Sequence, residues 1–292
     1  MPNEIQIERL KKVRDYIERH FQEDLQSEQV EEICFYSYRN INRIFKAVYR
    51  ESIGAYIKRL RIEALAKDIL YTDASITEIA FDGGFNDLQA FNKSFKSIYG
   101  CSPMQFRKQT EMKERKWFTF NKSRIMKESD KMKYREETIP ELHVLYLPFE
   151  GEYQVKAIRE SWNGLIEYAE KHNLLNDETL YLGEVLDDEE ITHPERCRYN
   201  CAITIEKELE HDPAGFFGRK SIPEERYAVF THKGSYESTE ETYELIYGKW
   251  LLEKPFDLVD KPVLEFYLND EMDTKEEDLL TEIYIPIEPK VK

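Results

Sequence analysis

Near Glu136 the spacing of apolar residues changes from a three-and-four rhythm to strict alternation. That change constrains the fold more than any other feature of the chain. Before it, Ile7, Leu10, Val13, Ile17 and Phe21 form one stripe of an amphipathic helix. After it, His143–Leu147, Leu180–Leu186, Tyr199–Ile205, Arg226–Lys233, Val263–Leu268 and Thr281–Ile287 alternate as strands. Helical patterns intervene at Val155–His172 and Glu240–Leu252. One chain therefore holds two domains: an all-α one and an α+β one.

Each domain is also internally doubled. In the first, Phe45-Lys46, Tyr49, Ser52 and Tyr56 are matched by Phe95-Lys96, Tyr99, Ser102 and Phe106 at an offset of 50. Each copy is a short helix, a tight turn and a second helix. This is a tandem helix-turn-helix, with Tyr56–Leu70 as a spacer helix. In that spacer Tyr56, Leu60, Ala64 and Leu65 are expected to face inward, and Lys58, Arg59, Arg61 and Lys67 outward. In the second domain Gly151-Glu152-Tyr153 is matched by Gly234-Ser235-Tyr236 at an offset of 83, and Tyr181–Val185 by Leu264–Leu268. The reading is two βαββ repeats forming a pseudo-twofold sheet with helices on one face. The expected boundaries are 1–108 for the helical domain, 109–135 for a charged linker and 136–292 for the α+β domain.

Charge divides the same way. The whole chain carries −16, which argues against a polyanionic partner, but residues 1–135 carry +6 and residues 136–292 carry −22. In a helix-turn-helix the second helix enters the major groove, where Arg reads guanine and Asn reads adenine or holds phosphate. The apolar stripe of the first unit, Ile41, Ile44, Phe45 and Val48, leaves Arg39, Asn42, Arg43 and Lys46 outward. The second unit leaves Asn86, Gln89, Asn92, Lys93 and Lys96 outward. Two units on one spacer suit successive grooves about 34 Å apart, so double-stranded promoter DNA is the expected partner.

The run Ser75-Ile76-Thr77-Glu78-Ile79-Ala80-Phe81, then Gly83-Gly84-Phe85-Asn86-Asp87, then Phe91-Asn92-Lys93-Ser94-Phe95-Lys96 and Tyr99-Gly100-Cys101-Ser102-Pro103 closely resembles the AraC/XylS regulators over residues 5–110. The resemblance implies sequence-specific promoter binding, as an activator working with RNA polymerase. Two positions depart from the family pattern: Glu31 stands where a small residue is usual, and Phe35 where Gly is common.

In the acidic domain, alternation places Glu265 with Tyr267, and Glu282 with Tyr284. These two Glu-x-Tyr pairs are expected on the open face of the sheet, away from the helices. Carboxylates among aromatics suit an organic cation. Gly151-Glu152-Tyr153, Trp162, Tyr227–Tyr236, Glu265-Phe266-Tyr267 and Thr281–Ile287 resemble the gyrase-inhibitor-like effector-binding domain over 136–289. That resemblance implies a small amphipathic, often cationic ligand. Glu265 would be the buried carboxylate, and Tyr153, Trp162, Tyr236 and Tyr267 the aromatic walls. Two rival readings stand beside the sensor: a small-molecule hydrolase using Glu265, and a protein-docking module.

Other signals are weaker. His193, Cys197 and Cys201 have metal-like spacing only on a helix; on a strand the two thiols lie about 13 Å apart, so no metal is expected. Asp187–Glu190 and Asp270–Asp278 read as solvated acidic loops. The chain is expected to be a non-enzyme without cofactor. With no apolar run of about 18 residues, no leader-like first segment and four cysteines, it is expected in the cytoplasm and away from membranes.

Overall fold

The computed structural model describes residues 4–109, 133–189, 191–206, 213–251 and 254–289. The chain forms two compact units, one amino-terminal and one carboxy-terminal. The expected linker lies outside the described residues for 110–132.

The first unit is helical: α1 (Glu4–His20), α2 (Ser27–Cys34), α3 (Tyr38–Tyr49), α4 (Ile53–Tyr71), α5 (Ile76–Asp82), α6 (Leu88–Tyr99) and α7 (103–109). The predicted stripes pack as expected: Leu10, Val13 and Ile17 of α1 meet Ile41 and Phe45 of α3, with Tyr56 and Leu60 of α4. The ends are chemically specified. Ser75 and Glu78 form a reciprocal capping box at α5, and Asp87 accepts from Gln89 N and Ala90 N at α6.

The spacer α4 differs from its expected amphipathic pattern. Tyr56 and Leu60 belong to the core of the first helix-turn-helix, while Leu65 packs onto Gly83 of the second. A helix shared by two cores is buried on more than one side. Arg59, expected outward, is therefore buried with ion pairs to Glu51 at 2.9 Å and Glu63 at 3.1 Å. Arg61, also expected outward, donates to the carbonyls of Phe21 and Glu23. Val48, expected inward, is exposed.

The second unit is an antiparallel sheet with two helical segments. Its strands are β1 (Tyr134–Ile139), β2 (Leu142–Glu150), β3 (Tyr181–Val185), β4 (Arg198–Thr204), β5 (Gly218–Ile222), β6 (Glu225–Lys233), β7 (Phe256–Leu258), β8 (Val263–Tyr267) and β9 (Leu280–Pro289). The order is β1-β6-β9-β8-β3-β4-β2-β5, with β7 on β9. Helix α8 is Val155–Lys171; α9 is Thr239–Leu245 and continues into a π-helical turn, Ile246–Trp250. The strand order is palindromic about β3–β8, as two βαββ repeats require, with β1 and β5 as outer additions.

The registers refine the repeat. Leu182↔Ala202 maps onto Leu264↔Tyr284, an offset of 82, while Leu147↔Cys201 maps onto Phe230↔Ile283 with β2 still at 83. The expected 83 for the later strands is one residue out, and a one-residue slip exchanges the faces of a strand. Leu145, Tyr199 and Cys201 pack under α8, and Phe230, Ile283 and Ile285 pack with Ile246 and Trp250. The helix-free face carries Val144, Tyr146, Leu182, Leu264 and Phe266, buried because the sheet curls over them.

Candidate functional site

On α3 and α6, and in the turn before α6, the expected DNA-facing residues are mostly exposed: Arg39, Arg43 and Lys46 in the first unit, and Asn86, Gln89, Lys93 and Lys96 in the second. Asn42 and Asn92 are half-buried. Asn42 is committed internally: its Oδ1 accepts the N–H of Ile53 at 2.8 Å, satisfying the start of α4. At the equivalent place in the second unit stands Pro103, which has no N–H, so Asn92 is not drawn into that bond.

The two departures from the AraC pattern have a physical account. Glu31 Oε1 accepts the N–H of Tyr38 at 2.6 Å, capping α3, whose Ser37 makes no side-chain cap. Phe35 occupies the left-handed region at φ 56°, as Gly84 does at φ 79° in the second turn. Its ring is exposed, with the Arg9 guanidinium 5.8 Å from its centroid and 4.6 Å from that of Tyr36.

In the second unit the residues assemble around Glu265. Tyr243 of α9 donates to Glu265 Oε1 at 2.7 Å, and Tyr267 donates to Oε2 at 2.9 Å. With that proton spent, the 2.6 Å contact between Tyr199 and Tyr267 has Tyr199 as donor; its longer limb reaches Oε2 at 3.4 Å. Tyr199 → Tyr267 → Glu265 ← Tyr243 is thus a directed chain. It leaves the carboxylate spare lone pairs. Burial, then the Glu265 charge, holds all three phenols well above the usual tyrosine range, so they remain donors at neutral pH. Trp162 and Tyr236 stand edge-on to Tyr267, with centroids 5.5 and 5.4 Å away.

Gly183 makes the arrangement fit. It lies directly across from Glu265 and is its counterpart in the first repeat, so the doubled fold carries one carboxylate here. The Tyr199 ring occupies the space a side chain at 183 would take.

Residues 132–288, more than half of the chain, match the GyrI-like small molecule binding domain family. The chain belongs to the GyrI-like family. Residues 32–109 match the helix-turn-helix domain family, in agreement with the AraC-type resemblance. A Staphylococcus aureus protein known as an uncharacterized HTH-type transcriptional regulator is 33% identical over 100 residues, 34% of this chain and 13% of that protein. The putative HTH-type transcriptional regulator YkgA of Escherichia coli is 30% identical over 98 residues, 34% of this chain and 41% of its own length. The chain thus spans less than half the length of these relatives. Among solved structures, an EcmrR–DNA complex is 14% identical over 91% of this chain and 100% of that one, with a TM-score of 0.45.

Within the GyrI-like domain the sheet sorts the expected residues. Tyr267, Trp162 and Tyr236 gather with Glu265 on the helix-covered face, not the open one. Tyr153 contributes its ring, 6.0 Å from Tyr199, but its hydroxyl donates to Arg198 O at 2.6 Å. Glu282 does not join them. It pairs in register with Phe266, on the opposite face, where Arg135 grips it at 2.6 and 2.8 Å. That guanidinium holds the Glu282 carboxyl below the usual range. Tyr199 and Tyr243 escaped the sequence reading, although a glycine inside a strand signals a close approach.

Members of both acidic loops are paired. Asp187 is buried, with both carboxylate oxygens 2.7 Å from the Arg198 guanidinium, and Glu271 pairs with Arg159 of α8 at 2.6 Å. Cys197 and Cys201 are buried free thiols, and among the described residues no group of His, Cys, Asp and Glu is placed to hold a metal ion. Among the same residues no helix is long and apolar enough to cross a membrane.

Proposed function

We propose that the chain is a ligand-responsive transcription regulator of the bacterial cytoplasm. Its two helix-turn-helix units bind promoter DNA, with Arg39, Arg43, Lys46, Gln89, Lys93 and Lys96 toward the duplex. Its GyrI-like domain binds a small amphipathic cation at Glu265. The observation that carries the reading is the buried Glu265 carboxylate, fed by protonated phenols and walled by Trp162 and Tyr236, on the same chain as a tandem helix-turn-helix. Cation–π contact and ion pairing act together on such a ligand. Occupancy shifts the regulator only if the ligand binds the active and inactive arrangements with different affinity. Activation through RNA polymerase is the direction we favour.

Nothing in the cluster favours turnover: the phenols stay protonated, and none is poised as a nucleophile. The test is paired. Promoter binding by the full chain should weaken steeply with salt, and Arg43→Glu with Lys93→Glu should abolish it without changing ligand affinity. Glu265→Gln should do the converse. Salt-independent DNA binding, or catalytic conversion of the ligand, would overturn the reading.

A further inference from the structure

Thr281 lies on β9, directly across from Tyr267 on β8 and His232 on β6. Strand alternation puts its side chain on the helix-covered face, with Ile283 and Glu265. It is completely buried, and among the described residues its Oγ1 has no hydrogen-bond partner. Folded proteins hold few such hydroxyls, because each gives up its water without replacement.

Its neighbours are committed elsewhere. Tyr267 donates to Glu265 and accepts from Tyr199. His232 spends Nδ1 on Thr242 and Nε2 on Ser235 O and Ser238 Oγ. Trp250 Nε1 is likewise without a partner, but its indole stands nearly perpendicular to the rings of Phe230 and Tyr134, whose faces suit an N–H. Thr281 has no such explanation. Valine would fill its place without the unpaired group. Opposed residues in antiparallel strands have Cβ atoms about 4.5–5.5 Å apart, so Thr281 stands beside Tyr267 and diagonal to Glu265 on the same face.

We propose that Thr281 Oγ1 is a ligand anchor, and that the molecule taken at Glu265 is a protonated amine with at least two N–H groups. One N–H serves the carboxylate and one serves Thr281. The inference rests on the reading of Glu265 as the ligand carboxylate and narrows its ligand class. Aromatic walls and a carboxylate accept any organic cation, including a fully alkylated one. The hydroxyl oxygen rewards a cationic head that donates to it, whereas a quaternary head, which neither donates nor accepts, would leave it buried and unpaired.

The test uses the full chain and a matched pair of probes, decylamine and decyltrimethylammonium, titrated calorimetrically below their micelle concentrations. The wild type should prefer the amine by about ten-fold, the worth of one hydrogen bond to a charged group. Thr281→Val should lose that preference, weakening decylamine by about the same factor and leaving decyltrimethylammonium unchanged. It should also raise the unfolding temperature of the ligand-free chain. Equal affinity of Thr281→Val and wild type for the amine, or equal loss for both probes, overturns the inference while Glu265 dependence keeps the parent reading. If neither probe binds in a way that Glu265→Gln abolishes, the parent reading fails and this inference falls with it.

Discussion

Gly183→Ala is the smallest change that should dismantle the Glu265 cluster. A Cβ at position 183 would fall 1.7 Å from Tyr199 Oη and 2.4 Å from its Cζ, far inside van der Waals contact. The ring has little room to retreat: it is buried, edge-on to Tyr153 at 6.0 Å, and its hydroxyl is bonded to Tyr267 at 2.6 Å. Overpacking of this kind costs about 1–3 kcal/mol. For a domain of this size each kcal/mol lowers the midpoint by roughly 2–4 °C, so a fall of about 2–12 °C is expected. At an unobstructed strand position Gly→Ala stabilises instead, by about 0.4–1 kcal/mol through the unfolded chain, so the sign alone discriminates. Thermal unfolding of the full chain followed by near-ultraviolet circular dichroism reads both the midpoint and the tyrosine environment. Adding Tyr199→Leu should recover part of the loss, because the two substitutions share one space. A Gly183→Ala variant melting at or above wild type, with an unchanged tyrosine signal, would refute the packing argument.

Further outcomes follow from individual contacts. Arg59→Met removes the ion pairs to the buried Glu63 and the half-buried Glu51 and should lower stability, by at most about 3–5 kcal/mol, in urea titrations of the full chain. Asn42→Ala should destabilise by about 1 kcal/mol through the lost bond to Ile53 N, whereas Asn92→Ala should leave stability alone and weaken DNA binding. Glu282, held below the usual carboxyl range by Arg135, contributes stability that is present above its unfolded pKa near ~4.3 and lost as pH falls through its lower folded value. Arg135→Met should flatten that acid limb of a stability-versus-pH curve. The effect should stay under about 1 kcal/mol, because Arg135 is half exposed and solvent screens the pair.

The helices, the doubling and most strands were legible because each rests on a period sustained over many residues. β1 and β5 were not: they flank the sheet, and charged residues such as Arg135, Glu137, Arg219 and Lys220 hide their alternation, as edge strands commonly require. β7 has only three residues. Alternation correctly grouped Glu265 with Tyr267 but does not say which face the helices cover, and there the expectation was inverted. It also cannot align two strands: only the register Glu265↔Ile283 separates Glu282 from Glu265. Tyr199 and Tyr243 come to Glu265 from another strand and a helix, a long-range meeting that no local pattern encodes.

The central claim, that a cation at Glu265 governs promoter output, is tested most directly by transcription in vitro. The template carries a promoter selected for binding by the chain, with purified bacterial RNA polymerase, and decylamine is titrated against the wild type and Glu265→Gln. The account predicts that transcript rises with the amine for the wild type and stays flat for Glu265→Gln, while both proteins bind the promoter equally without ligand. An identical response from the two proteins, or a flat wild type that nonetheless binds the amine at Glu265, would contradict it.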